Sequence, residues 1–193
     1  MAALPSFPVA LYHRTANTLP RYAEFTCVPV NQVQVIKKQF PWELLGALPE
    51  MMHTAWGSLF TSLRLQKDDH LLIRGGTTSV GLAAAAIAKG ACAFVAVTTR
   101  RPERRAMLEA NGADEVYIDN GSIEEEVKKR HPGKFSKILE LVGVTTMEDS
   151  LKCAQDNGIV CLSGIAGGKV RMPFVREHCT AHHTPTPGWL DNC

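Results

Sequence analysis

Short apolar strands alternate with helical stretches from residue 70 onward, and this alternation constrains the fold more than any other feature of the chain. Strands that are buried on both faces are continuous apolar runs. Five such runs occur, at His70–Arg74, Phe94–Thr98, Glu115–Ile118, Lys137–Leu141 and Ile159–Ser163. The alternation therefore predicts an α/β fold in three layers, α/β/α, with a doubly wound parallel sheet between helices.

Four helical stretches connect these strands, at residues 79–91, 102–110, 122–130 and 145–153. Ser122 is the expected N-cap of the third helix, and Thr145 with Glu148 has the spacing of a capping box that opens the fourth. The third helix is charged throughout, and Glu124 and Lys128 are spaced for an ion pair. These signals place the helix ends as well as the helices.

The first 69 residues follow a different pattern. Residues 21–36 alternate in a β-like way, and residues 41–65 form a helical region with several large apolar side chains. We expect these side chains to belong to the core rather than to contact a ligand; they are Trp42, Met51, Met52, Trp56 and Phe60. From Val175 onward no period is visible, which predicts an irregular tail.

Composition excludes several classes of protein. Of the 193 residues, 45% are hydrophobic and 21% are charged, and the net charge is only +2, so neither a disordered chain nor a nucleic-acid partner is expected. The longest apolar run, Leu82–Ala88, is too short to cross a membrane, and the first residues do not resemble a secretory signal. The six cysteines form no C-x-x-C pair, which favours a reducing, cytoplasmic location.

The turn after His70–Arg74 is the main candidate for a binding site. Residues 74–81 have the sequence RGGTTSVG, and Gly76 and Gly81 have the spacing of the outer glycines in G-x-G-x-x-G, with Thr78 at the middle position. Those glycines let a pyrophosphate approach and let helix and strand pack closely, while the helix N-terminus supplies N–H donors. The alternative is a glycine-rich turn without a ligand.

The end of the second apolar strand carries arginines where an acid is expected for NAD. An NAD site places Asp or Glu about 20 residues after the glycine turn to bind the ribose 2′-hydroxyl. Here Arg100 and Arg101 flank a helix start, and Arg104 and Arg105 follow one turn later. The arginine fork suits a 2′-phosphate, which would also relieve the repulsion between these cations and the helix dipole. The sequence therefore favours NADP(H), with a solvated helix face as the alternative.

Taken in order, these segments make the chain resemble the medium-chain dehydrogenase/reductase superfamily, in its zinc-type alcohol dehydrogenase and quinone oxidoreductase branch. The resemblance covers residues 20–174. The segments that carry it are residues 22–25 (YAEF), 48–50 (LPE), 54–56 (TAW), 71–89, 112–116 (GADEV), 141–143 (LVG) and 163–164 (SG).

The resemblance implies an NADPH-dependent oxidoreductase that needs no zinc and transfers hydride to a quinone, an enone or a similar small carbonyl compound. It implies that the pyrophosphate is held by Gly76, Thr78, Ser79, Val80 and Gly81. It places Thr99 and Arg100 at the adenosine ribose and its 2′-phosphate, and Thr54, Val142, Gly143 and Gly164 beside the nicotinamide. It identifies no catalytic proton donor.

The resemblance also implies three regions. Residues 1–40 correspond to a remnant of the family's barrel-like catalytic domain, residues 41–175 to the Rossmann-like dinucleotide-binding domain, and residues 176–193 to the irregular tail. No metal site is expected, although His178, Cys179, His182 and His183 lie close together in the sequence. With most of the catalytic domain missing, the alternative function is a truncated NADPH-binding module with little or no turnover. The sequence leaves open whether the chain forms a homodimer. Sheets of this family pair across a dimer, but a missing sixth strand exposes that edge.

Overall fold

The computed structural model describes residues 9–12, 33–36 and 40–164. The chain divides into two compact units between Pro49 and Glu50. The smaller unit contains an antiparallel pair of strands, β1 (Val9–Tyr12) and β2 (Val33–Ile36). The β pattern predicted for residues 21–36 is confirmed at β2, whereas residues 21–32, the tail and its histidines lie outside the described residues.

Helix α1 (Trp42–Trp56) continues into a π-helical turn at Gly57–Ser62, in agreement with the predicted helical region. Met51 and Phe60 pack against the core as predicted. The core prediction is wrong for Trp42, Met52 and Trp56, whose exposed fractions are 65%, 39% and 59%. The apolar residues of α1 spread too widely around the helix for one core-facing stripe to bury them all.

The larger unit contains a five-stranded sheet whose strands all run parallel, in the order β5-β4-β3-β6-β7. Its predicted α/β architecture is confirmed. The strands are β3 (His70–Arg74), β4 (Phe94–Thr99), β5 (Glu115–Ile118), β6 (Phe135–Glu140) and β7 (Ala154–Leu162). The helices that connect them are α2 (Ser79–Gly90), α3 (Arg105–Ala110), α4 (Glu124–Arg130) and α5 (Val144–Cys153).

Two hydrophobic layers cover the two faces of this sheet. Successive side chains on a strand point to opposite faces. Leu71 and Ile73 of β3 therefore pack in one layer with α2 and α3, while Leu72 packs in the other layer with Val127 of α4 and Cys153 of α5. No helix in the described part of the chain is long and apolar enough to cross a membrane.

The structure corrects two predicted helix starts. Ser122 does not cap α4; its hydroxyl instead donates to the carboxylate of Asp149, which also accepts the first N–H groups of the helix. Thr145 and Glu148 do not form a capping box, because α5 begins one residue before Thr145 and its N-cap position is Gly143. The predicted i,i+4 pair is confirmed, with Lys128 Nζ lying 2.7 Å from a carboxylate oxygen of Glu124.

Strand bounds differ from the prediction at the second half of the sheet. β6 begins at Phe135, two residues before the predicted Lys137, and β7 begins at Ala154, well before Ile159. The pairing of the two strands shifts in register between Phe135 and Lys137, so their first residues align irregularly. Polar residues such as Gln155 and Asp156 fill this exposed start of β7, and an apolar run cannot reveal them.

Candidate functional site

The strand order of the parallel sheet reverses at its centre, and the region outside the carboxyl ends of β3, β4 and β6 is the candidate crevice. β3 is central, the chain proceeds to β4 on one side, and it later returns to β6 on the other side. In open parallel sheets, ligands bind at such a switch point. The loops after β3 and β6 lie against each other there, since a Cβ placed on Gly75 would lie 3.3 Å from Cγ2 of Val142.

The turn between β3 and α2 is packed too closely for side chains. Gly75 has a φ of +85°, and a Cβ on Gly76 would lie 2.7 Å from Cβ of Val97. A Cβ on Gly81 would lie 2.6 Å from the carbonyl oxygen of Gly75. The turn is fixed to β4, because the N–H of Gly76 donates to the carbonyl of Thr98 at 3.0 Å. The spacing of Gly76 and Gly81 thus reflects a steric requirement.

Thr78 closes the first turn of α2 in place of the motif's middle glycine. Its hydroxyl donates to the carbonyl of Gly75 at 2.9 Å and accepts from the N–H of Gly81 at 3.0 Å. By contrast, the N–H groups of Ser79 and Val80 meet no acceptor within the described residues. Helix N-termini with such free donors bind phosphate. The turn therefore fits a pyrophosphate.

The end of β4 is followed by two arginines, Arg100 and Arg101. Arg100 is exposed, and Thr99 is buried with its hydroxyl accepting from the N–H of Arg101 at 3.2 Å. In the described part of the chain Arg100 and Arg101 form no ion pair. The nearest strand-end acid, Asp119 after β5, is engaged by Arg74 at 2.9 Å. This end of the candidate crevice therefore carries an exposed guanidinium that no carboxylate of the described residues pairs with.

The other end of the crevice is formed by the loops after β6 and β7. Val142 and Gly143 follow β6, and Gly143 has a φ of +112°. Gly164 lies two residues after β7 and packs so tightly against Leu141 that a Cβ there would collide with the carbonyl oxygen of Leu141. The predicted residues of both loops therefore lie together at the carboxyl edge, on the opposite side of β3 from Arg100.

Thr54 lies one helical turn before a residue that contacts the end of β7. It lies in the last turn of α1, half-buried, four residues before Ser58. The hydroxyls of Ser58 and Ser163 are 2.8 Å apart, which joins the π-helical turn to the end of β7. Sequence reasoning missed this pair, because a serine on a helix carries no signal for a partner 105 residues away.

A buried ionic network lies beneath the crevice, and sequence reasoning missed it too. Arg74 is fully buried, and its Nε donates to Asp119 at 3.0 Å while Nη1 donates to Asp149 at 2.6 Å. Burial alone would lower the pKa of Arg74, but these carboxylates outweigh it and raise the pKa. The available signal was that two neighbouring apolar strands each end in a charged residue, Arg74 and Glu140.

Strand order, glycine turn and switch-point crevice together define a Rossmann-type α/β domain. The model of the zinc-binding dehydrogenase family matches residues 79–184, which is more than half of the chain. The chain belongs to this family, within the medium-chain dehydrogenase/reductase superfamily. Within the described residues no group of three or more His, Cys, Asp or Glu side chains is placed to hold a metal.

Three similar proteins illustrate the relationship. A quinone oxidoreductase from Lama guanicoe is 25% identical over 155 residues, which is 79% of this chain and 47% of the relative. A phthioceranic/hydroxyphthioceranic acid synthase from Mycobacterium tuberculosis is 40% identical over 83 residues, 42% of this chain and 4% of the synthase. The structure of mycobacterial Rv1454c complexed with NADPH aligns with a TM-score of 0.70 at 22% identity, covering 77% of this chain and 45% of that one. The chain thus spans less than half the length of each.

Proposed function

We propose that the chain binds NADPH along the carboxyl edge of its sheet and serves an oxidoreductase that reduces a quinone or a conjugated carbonyl compound. The observation that carries the proposal is the glycine turn. Gly76 and Gly81 leave no room for a Cβ there, and the N–H groups of Ser79 and Val80 meet no acceptor among the described residues. The NADPH complex of Rv1454c and the quinone oxidoreductase relative support it.

The pyrophosphate is proposed to lie against the first turn of α2. Ser79 and Val80 supply N–H donors there, and the helix adds positive potential. Thr78 does not donate to the phosphate in this arrangement, since its hydroxyl already bonds Gly75 and Gly81. Its role is to hold the turn.

The choice of NADPH over NADH is proposed to rest on Arg100. This side chain is exposed at the end of β4 and forms no ion pair within the described residues, so a 2′-phosphate gains a charged partner without breaking another. Arg105, one turn later, already lies 3.8 Å from Glu109, which makes it a weaker candidate.

The nicotinamide is proposed to lie between the loops after β6 and β7, near Val142, Gly143, Gly164 and Thr54. When bound, the cofactor supplies the hydride. The chain's contribution is placement, because hydride transfer depends on holding the two reacting carbons close together in line. The backbone of both loops is fixed by close packing between Gly164 and Leu141.

Isothermal titration calorimetry of the full chain with NADPH and NADH tests the cofactor proposal. We expect NADPH to bind at least about tenfold more tightly, since a charge-assisted hydrogen bond contributes about 1.5–3 kcal/mol. Arg100→Ala should remove this preference by weakening NADPH binding about tenfold and leaving NADH binding unchanged. Arg105→Ala is the matched control and should keep the preference.

The outcomes separate the two candidate functions. Selective NADPH binding together with NADPH oxidation in the presence of quinones or enones supports the reductase. Selective binding without oxidation would identify an NADPH-binding module. Binding of neither nucleotide would overturn the proposal, and an Arg100→Ala variant that still prefers NADPH would overturn the role of Arg100.

A further inference from the structure

We propose that Glu140 is a positioning residue for the nicotinamide end of the crevice, acting by holding the backbone of Val142 and Gly143. The inference rests on the proposed function, because it assigns a role within the same site. Glu140 belongs to no cofactor-binding motif. It is the last residue of β6 and is fully buried.

The carboxylate of Glu140 accepts hydrogen bonds from the loop that follows it. One of its oxygens accepts two backbone hydrogen bonds, from the N–H of Val142 at 2.8 Å and from the N–H of Gly143 at 3.0 Å. This arrangement reverses the chain direction immediately after β6 and sets the start of α5. It also fixes the two residues proposed to face the nicotinamide.

The other carboxylate oxygen of Glu140 is held by a side chain of α5. It accepts the hydroxyl of Ser150 at 2.5 Å, and Ser150 in turn lies 3.4 Å from Nη1 of Arg74. The main chain is tied on both sides, since the N–H of Leu141 donates to the carbonyl of Arg74 and the N–H of Ser163 donates to the carbonyl of Glu140. The carboxylate therefore has a single orientation set by three strand ends.

The loop depends on these hydrogen bonds, because its backbone conformation is unfavourable for most residues. Gly143 has φ +112° and ψ −148°, a region that is open to glycine and strained for other residues. Without the carboxylate, the N–H groups of Val142 and Gly143 lose their acceptor, and buried unsatisfied donors force a backbone to rearrange. A shift of the loop would affect the nicotinamide end and spare the adenosine end, which lies across β3.

A fragment of the cofactor distinguishes an effect at the nicotinamide end of the site from an effect at the adenosine end. The chain and its variants are titrated with NADPH and with 2′,5′-ADP, which carries the 2′-phosphate and lacks the nicotinamide. For Glu140→Ala we expect NADPH to bind about tenfold more weakly and 2′,5′-ADP to bind within about twofold of the wild-type affinity. Glu140→Gln keeps an acceptor oxygen for the two N–H groups and should restore most of the NADPH affinity.

A second readout follows the loop itself without any ligand. Amide hydrogen exchange at Val142 and Gly143 should be slow in the wild type and in Glu140→Gln, and faster in Glu140→Ala. Cys153→Ala is the control for general loosening, because it removes a buried side chain of α5 that does not touch the loop. It should change neither the exchange of these two amides nor the ratio of the two affinities.

Equal weakening of NADPH and 2′,5′-ADP by Glu140→Ala, or no weakening of either, would overturn the inference. If Glu140→Ala fails to fold, Ser150→Ala takes its place: it removes the anchor, keeps the two N–H bonds and should weaken NADPH alone by about threefold. If the wild type binds neither nucleotide, the proposed function fails. Amide exchange then still decides whether Glu140 holds the loop.

Discussion

Asp149 links the buried network to a helix start, so its removal should cost more than an ordinary side-chain deletion. Its carboxylate accepts from Arg74 at 2.6 Å, from the Ser122 hydroxyl at 2.5 Å, and from the N–H groups of Ile123 and Glu124 at 3.0 and 3.3 Å. Asp149→Ala deletes all four contacts at once. It leaves the buried guanidinium of Arg74 with Asp119 as its remaining close partner.

The magnitude follows from two separate losses. Breaking a buried ion pair by removing one partner costs about 3–5 kcal/mol, and the low end applies because Asp119 still faces Arg74. Losing a helix N-cap adds about 1 kcal/mol. We therefore expect Asp149→Ala to lower the free energy of unfolding by about 4 kcal/mol, a large part of the 5–15 kcal/mol typical of a domain. Asp149→Asn keeps an acceptor oxygen for the helix cap, and it should lower the free energy of unfolding by about half as much.

Urea unfolding followed by circular dichroism measures these differences. Glu148→Ala is the control on the same helix, since that exposed side chain pairs only with Lys152 at 3.1 Å among the described residues, and the midpoint should not move. A loss below about 1 kcal/mol for Asp149→Ala would refute the reasoning that Arg74 depends on this carboxylate. Equal losses for the Asn and Ala variants would refute the role of the cap.

Burial alone would raise the pKa of Asp149, but hydrogen bonds from Ser122 and Ile123 and the charge of Arg74 lower it. The stabilisation that Asp149 provides should therefore be complete at neutral pH and should be lost progressively as the pH falls below about 4. Urea midpoints at pH 7, 4 and 3 should show that loss in the wild type and a smaller one in Asp149→Asn. Gly81→Ala places a Cβ 2.6 Å from a backbone oxygen, so it should lower thermal stability and abolish NADPH binding measured by calorimetry. Burial raises the pKa of the Cys153 thiol to about 12, so mass spectrometry after iodoacetamide treatment at pH 8 should find exposed Cys92 alkylated and Cys153 unmodified.

Local pattern was enough to predict the sheet. The run HLLIR gave the bounds of β3 without error, and β5 matched as well, because both are apolar strands flanked by turn residues. The spacing of Gly76 and Gly81 predicted the glycine turn and the helix start whose first N–H groups meet no acceptor in the described part of the chain. Topology places the predicted site residues that follow β3, β4, β6 and β7 at one edge of the sheet, while their contact with a cofactor stays a prediction.

Backbone conformation and distant contacts account for the rest. Thr145 and Glu148 fit a capping box, but Gly143, two residues before Thr145, adopts a positive φ and lets the helix start at Val144. The residue types alone do not reveal that conformation. Likewise, an apolar helix pattern does not say how much of the helix is covered, so Trp42 was placed in the core although it is exposed. The role of the Glu140 carboxylate could not be predicted either, because its contacts depend on β3 and β6 ending side by side in the sheet.

The distant cap on α4 has a consequence for the order in which the chain acquires its structure. α4 has seven residues, too few for a helix to persist alone, and the acceptor for its first N–H groups lies 25 residues further along at Asp149. Closing a loop of that length must precede the stabilisation that it brings. During synthesis, we therefore expect α4 to form only after α5 has been made and has docked. A mutation at Asp149 would extend that interval, and it would act on the yield of folded protein before it acted on the native state.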